Sequence, residues 1–170
     1  MSYDPYALAF PAAPFTLSSK DFEPGGALPA SAYATADGPG ESPELSWGPL
    51  PAGTRSLVVT AFDADAPIPG GLWHWVVKDI PATVPGLAHG AGAGLPPGAV
   101  HLVNDLGAAA WSGVKPPPGT GTHRLVVCAT ALSVASLDVP AGASLAMLNI
   151  LLIPHTVGRA VLVGTSTAGV

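Results

Sequence analysis

Turn formers cut this chain into pieces too short for anything but a protein of many brief strands. Glycine (21) and proline (20) together make about a quarter of the 170 residues. They cluster, as in Pro24-Gly25-Gly26, Pro69-Gly70-Gly71 and Pro116-Pro117-Pro118-Gly119. Proline fixes φ and removes a backbone donor, while glycine admits left-handed turns, so each cluster ends a regular element. Such a composition borders on low complexity. Hydrophobic residues are 48% of the chain and charged residues only 10%, however, the reverse of a sequence that cannot bury a core. The glycines and prolines are therefore turns, and the expected fold is all-β, a sandwich of antiparallel sheets. The length fits one domain, one that buries roughly 70% of its unfolded surface.

Three runs are strongly β-prone. Ser56 to Asp63 (S-L-V-V-T-A-F-D) is apolar on both faces, as a central buried strand must be. In Leu72 to Ile80, strict alternation puts Leu72, His74 and Val76 on one face and Trp73, Trp75 and Val77 on the other. His123 to Leu132 is the third run. Shorter strands are expected at Phe15–Ser18, Glu44–Trp47, Val100–Val103 and Arg159–Thr165. The one helix candidate is Ser144 to Ile153, ended by Pro154. Residues 1–14, rich in Pro and Ala, read as an arm over the surface, and 15–170 as a single domain.

Several function classes fall away. A net charge of −5 with only six Lys and Arg leaves no basic stripe for nucleic acid or for anionic lipid surfaces. Mean hydropathy is +0.44, yet the longest apolar stretch, Leu145 to Ile153, contains Asn149 and stops at Pro154. A span needs about 20 apolar residues. Met1 to Pro5 lacks the basic and apolar regions of a secretory signal, and the lone Cys128 lies in an apolar run. The expectation is a cytoplasmic protein with a buried, inert thiol.

Polar residues gather where the strong strands end. Asp63-Ala64-Asp65-Ala66-Pro67 closes the first, His74 sits between Trp73 and Trp75 in the second, and His123-Arg124 opens the third. An ionised group at the end of a buried strand must be paired, because burying it alone costs several kcal/mol. A carboxylate beside an imidazole meets that need and fixes the ring tautomer, leaving the other nitrogen for a ligand. Arg124 is expected to pair with Asp65. The His and Asp spacing fits no compact metal motif, and no cofactor is implied.

These residues resemble a known family. Asp63-Ala64-Asp65-Ala66-Pro67 is similar to the D-P-D-A-P signature of phosphatidylethanolamine-binding proteins (PEBPs), which include the Raf kinase inhibitor proteins and a bacterial branch. Ser42-Pro43-Glu44-Leu45-Ser46-Trp47 and Pro51-Ala52-Gly53-Thr54-Arg55-Ser56 resemble the segments that precede it. Trp73-His74-Trp75-Val76-Val77 resembles a strand of the bacterial branch. Pro116 to Arg124 resembles P-P-x-G-x-G-x-H-R. The resemblance spans about Ser42 to Gly164 and implies a shallow pocket for phosphoryl or carboxylate groups, walled by Asp63, His74 and His123. It also implies a cis bond at Pro67 shaping the rim and places Trp111 near the mouth. Backbone N–H groups around Gly113 and Gly119 are expected as further donors. Three departures stand out: Ala64 for proline between the aspartates, Leu125 for tyrosine after His-Arg, and Pro154 within the late helix. Leu125 gives the pocket an apolar wall.

Three functions are open on this reading. The first is a binding protein for a small anionic or lipid head group. The second is an enzyme of the same fold that uses the Asp/His pair for acid–base chemistry in an isomerisation, cyclisation or hydrolysis. The third is an interaction protein that works as a homodimer, with Leu145–Ile153 as the apolar face.

Overall fold

A computed structural model describes residues 3–168. Strands run in chain order as β1 (Ala13–Pro14), β2 (Leu17–Ser18), β3 (Leu45–Trp47), β4 (Ser56–Asp63), β5 (Leu72–Pro81), β6 (Gly86–Leu87), β7 (Val100–His101), β8 (Thr122–Leu132) and β9 (Thr156–Thr167), with helix α1 (Leu145–Leu152) before β9. A six-stranded sheet has the order β1-β9-β8-β4-β5-β7, and a three-stranded sheet the order β2-β3-β6. All pairs are antiparallel except β1 with β9, which is parallel and stitches the arm to the sheet edge (Ala13 beside Gly158, Pro14 beside Arg159).

The run that is apolar on both faces is the central strand. β4 lies between β5 and β8, and all eight of its residues are buried. Leu57, Val59 and Ala61 point inward to the core between the sheets, with Leu125, Val127 and Ala129 of β8 and Leu162 of β9. Val58 points outward, into a second cluster with Val76, Leu132, Leu145, Leu148 and Leu152. The large sheet is thus a middle layer, with the small sheet and its loops on one side and α1 on the other. Ser144 caps α1 by accepting the Met147 N–H at 3.2 Å, and Pro154 ends it in a short 3-10 turn, Ile153–His155.

β5 departs from strict alternation. Its register with β4 runs Ala61 to Trp75 and then Phe62 to Trp73, so His74 has no partner in the ladder. This bulge turns Trp75 inward beside His74, and Trp73 stays outward, its ring 4.5 Å from that of Phe62. The expected grouping of Trp73, Trp75 and Val77 on one face is corrected accordingly: Leu72, His74, Trp75 and Val77 face in, Trp73 and Val76 face out.

Two-sided burial sets the cost of trimming the central strand. Leu57→Ala removes a fully buried side chain and should cost about 2–5 kcal/mol in urea unfolding. Val161→Ala, on the outer face of β9 where the side chain is 44% exposed, should change stability by less than about 0.5 kcal/mol. Equal losses at the two positions would contradict this layering.

Candidate functional site

The sheet brings four polar side chains into one row. Asp63 ends β4, His123 begins β8 beside it, His74 occupies the β5 bulge on the other side, and Ser166 of β9 is the ladder partner of His123. All four face inward and are buried, His123 being 1% exposed and Asp63 6%. Asp63 has two tasks. Its Oδ1 accepts the Asp65 N–H at 2.9 Å, closing the turn, and its Oδ2 accepts from His123 Nδ1 at 2.8 Å. The Thr120 hydroxyl lies 2.7 Å from the Pro117 carbonyl oxygen and 2.8 Å from His123 Nε2. Both ring nitrogens of His123 are thus hydrogen-bonded, one to Asp63 and one to Thr120.

His74 is set differently. Its Nδ1–H donates to the Ser112 carbonyl at 2.7 Å, which leaves Nε2 as a lone-pair acceptor, and that atom is buried with no partner. Burial holds this imidazole below its ordinary pKa, against the opposing pull of the Ser112 carbonyl and the Asp63 charge. Ser166 Oγ is a second buried polar atom in the row without a partner. Such atoms are costly inside a folded protein and are few. Here two of them flank one Asp–His pair.

Asn104 fixes the loop that serves His74. Its Nδ2 donates to the His74 carbonyl and to Ser112 Oγ, each at 2.8 Å, and its Oδ1 accepts the N–H groups of Leu106 and Ala108. Neither Asn104 nor Ser166 stands out in the sequence. The Asn104-Asp105-Leu106-Gly107 turn is a signal for the former, since asparagine side chains commonly bond the backbone two residues on. Ser166 lies just past the expected end of the last strand and carries no signal of its own.

Asp65 and Arg124 pair as expected. The guanidinium meets the carboxylate through Nε at 2.6 Å and Nη2 at 2.7 Å, and the Arg124 backbone N–H adds a bond at 2.9 Å. These bonds hold the Asp65 carboxyl below its ordinary pKa. The turn therefore keeps its shape without a proline at Ala64. The expected cis bond at Pro67 is not found: no peptide bond among the described residues is cis. Trans is the favoured isomer even before proline, and the Ile68 N–H closes the turn onto the Ala66 carbonyl at 2.7 Å.

The remaining candidates divide. Trp111 is buried, edge-on to Trp75 with ring centroids 5.8 Å apart, and it lines a small cavity of ≈ 130 Å³ with Pro39, Ser42 and Gly92. Leu125 is buried in the inner core, opposite Asp63 in the ladder. The expectation of a free Gly113 donor is corrected, because its N–H is spent on the Pro39 carbonyl at 2.7 Å. Gly113 is needed there for space: a Cβ would collide with the Ala34 nitrogen and the Pro39 carbonyl oxygen. His89 lies elsewhere, donating to Asp21 at 2.7 Å and Glu41 at 3.2 Å, bonds that raise its pKa. Cys128 is buried, and burial raises its thiol pKa. Among the described residues no group of His, Cys, Asp and Glu is arranged to hold a metal ion, and no helix is long and apolar enough to cross a membrane.

Comparison with known proteins identifies the family. The family model described as phosphatidylethanolamine-binding protein matches residues 18–167. The chain belongs to that family. The PEBP relatives include the UPF0098 protein YbcL of Escherichia coli, 36% identical over 156 residues that make 88% of this chain and 85% of that protein. The E. coli UPF0098 protein YbhB is 44% identical over 116 residues, 66% of this chain and 73% of that protein. The crystal structure of YbcL, described as a new member of the mammalian PEBP family, superposes with a TM-score of 0.82 at 34% identity, covering 89% of this chain and 96% of YbcL. A putative PEBP homolog from Chlamydia trachomatis gives 0.78 at 29% identity, covering 92% and 99%. The PEBP sandwich is therefore the frame in which the Asp63–His123 row is set.

The imidazoles titrate in opposite senses. A His74 pKa lowered in the fold means that stability is full above the unfolded value of about 6.5 and falls as pH drops through the folded pKa. His89, with a raised pKa, stabilises below about pH 6.5 and loses that contribution as pH rises through its folded value. In a two-dimensional ¹H–¹⁵N titration His74 should remain the neutral Nδ1–H form to lower pH than a free imidazole, and His89 should keep its second proton to higher pH. The reverse order would contradict the hydrogen bonding described here.

Proposed function

We propose that this PEBP-family protein binds a small anionic head group, phosphoryl or carboxylate, in the row His74, Asp63, His123 and Ser166. The observation that carries the reading is the pair of unpartnered buried atoms, His74 Nε2 and Ser166 Oγ, on either side of the Asp63–His123 pair. A ligand oxygen in place of the Thr120 hydroxyl would receive the His123 Nε2–H. Asp63 holds the His123 ring through Nδ1 and would not itself touch the anion. Family membership supports ligand binding of this general kind.

The state of His74 sets the pH dependence. A neutral Nε2 offers no proton to an oxyanion, so His74 either accepts from a protonated ligand oxygen or takes up a proton on binding. Both routes bring one proton into the complex. Affinity for phosphate should therefore rise as pH falls from neutrality, and calorimetry in buffers of different ionisation enthalpy should show net proton uptake.

Thermal unfolding across phosphate, phosphoethanolamine and acetate tests the binding itself. At 100 times its dissociation constant a ligand should add about 2.7 kcal/mol. Asp63→Ala/His123→Ala should gain nothing, and Ser166→Ala, which stays within the strand, should lose part of the gain. Stabilisation of the wild type by none of the three anions would overturn the reading.

A further inference from the structure

The outer face of the large sheet carries a second concavity. The arm crosses it on one side and α1 with its 3-10 turn borders it on the other, leaving a cleft of ≈ 430 Å³. That volume lies in the range of small-molecule sites. Its floor includes Phe62, Trp73 and Arg159, and its walls carry Leu8 and Phe10 from the arm and Ile150 and Ile153 from the helix side. These four wall residues are exposed, Leu8 99% and Ile150 58%. Nothing in the inner row is shared, because Asp63 and His123 face the opposite side of the sheet.

Arg159 gives the cleft its chemistry. Of the six cations, Lys78 and Arg124 are paired with Asp79 and Asp65, and Lys20, Arg55 and Lys115 are exposed. Arg159 is half-buried, and among the described residues no carboxylate lies within salt-bridge distance of it. One N–H donates to the Phe10 carbonyl at 2.8 Å, and the guanidinium carbon lies 5.7 Å from the centre of the Tyr6 ring. The guanidinium has five N–H donors, so most of its capacity is open. A half-buried cation on the floor of an apolar cleft is complementary to one negative charge attached to an apolar chain.

We propose that this cleft is a second ligand site, for an amphipathic carboxylate with a medium-length alkyl chain. The head group meets Arg159, and the chain runs between the arm and α1 over Phe62 and Trp73. This site is independent of the head-group site on the inner face.

Titration of the full-length protein with sodium dodecanoate, below its micelle concentration, tests the assignment, with dodecanol as the uncharged counterpart. With saturating phosphate present to fill the inner row, dodecanoate should bind with one-to-one stoichiometry. Arg159→Met should weaken it by about tenfold or more, the loss of a charge-assisted bond, with little change for dodecanol. Arg159 also anchors the arm, so Ile150→Glu provides a second variant at an exposed position that leaves the arm in place. It should abolish dodecanoate binding while the melting temperature stays near wild type. The proposal is overturned if wild type does not bind dodecanoate, or if binding survives both substitutions, which would place the ligand elsewhere. It is equally overturned if Ile150→Glu changes only the sedimentation behaviour, which would make this face a contact between two copies of the chain.

Discussion

Strand β4 sits between two neighbours in the sheet and between two apolar clusters across it, and this double enclosure governs where polar chemistry can be placed. Along its eight residues the only side chains with hydrogen-bonding groups are Ser56, Thr60 and Asp63. Ser56 donates to the Val134 carbonyl at 2.6 Å, and Thr60 lies 3.4 Å from the Tyr6 hydroxyl. Asp63, at the end, is the one ionisable group of the three. A carboxylate there costs too much unless it is bonded, and the antiparallel ladder puts the start of β8 beside it. His123 lies two residues before Leu125, the ladder partner of Asp63, and so on the same face, where it meets the carboxylate. His74 and Ser166 join the row by register, one strand further on each side.

Much of this was legible in the chain itself. Ser56–Asp63 coincides with β4 because its β-prone run is bounded by turn residues at Pro51–Thr54 and Asp63–Pro67, so nothing beyond local sequence was needed. The Asp65–Arg124 pair was legible for a different reason, since both residues are charged and sit where a strongly β-prone run begins or ends. The bulge at His74 was not, because alternation is a local property and a bulge belongs to the pairing of two strands. β6 was missed on similar grounds. It is only Gly86–Leu87, and it exists because Gly86 lets β3 approach: a Cβ there would meet the Leu45 carbonyl oxygen. His89 is joined to Asp21 and Glu41 across 68 and 48 positions of sequence, and no spacing rule connects them.

The signature turn shows how a fold absorbs a departure from its family's pattern. Ala64 removes the proline that would stiffen the turn, but five hydrogen bonds restrain it instead. Asp63 bonds Asp65, Arg124 bonds Asp65 through both backbone and guanidinium, and the Ala64 N–H reaches the Arg124 carbonyl at 3.0 Å. The same guanidinium donates from Nη1 to the Tyr3 carbonyl at 2.7 Å. Arg124 thus fastens the near end of the arm to the turn that carries Asp63, as Arg159 fastens Phe10 to β9. Both anchors are arginine to carbonyl bonds, which hold backbone without specifying the arm's side chains. That leaves Leu8 and Phe10 free to present apolar surface.

The inner row and the outer cleft then share a cause in one unpaired residue. With regular alternation, Trp75 would turn outward with Trp73, and Val76 would take the inward place beside His74. The inner core would lose the edge-on contact of Trp75 with Trp111, whose loop supplies the Ser112 carbonyl for His74. The outer floor would have to fit two indoles where it now has Trp73 against Phe62. By inserting His74, the bulge keeps one tryptophan on each side. The inner one packs under a polar row, and the outer one floors an apolar cleft. A sheet whose strands alternate without interruption can face a polar site or an apolar one with a given set of side chains. This one faces both, because β5 shifts register against β4 at the residue whose Nε2 is left unpartnered.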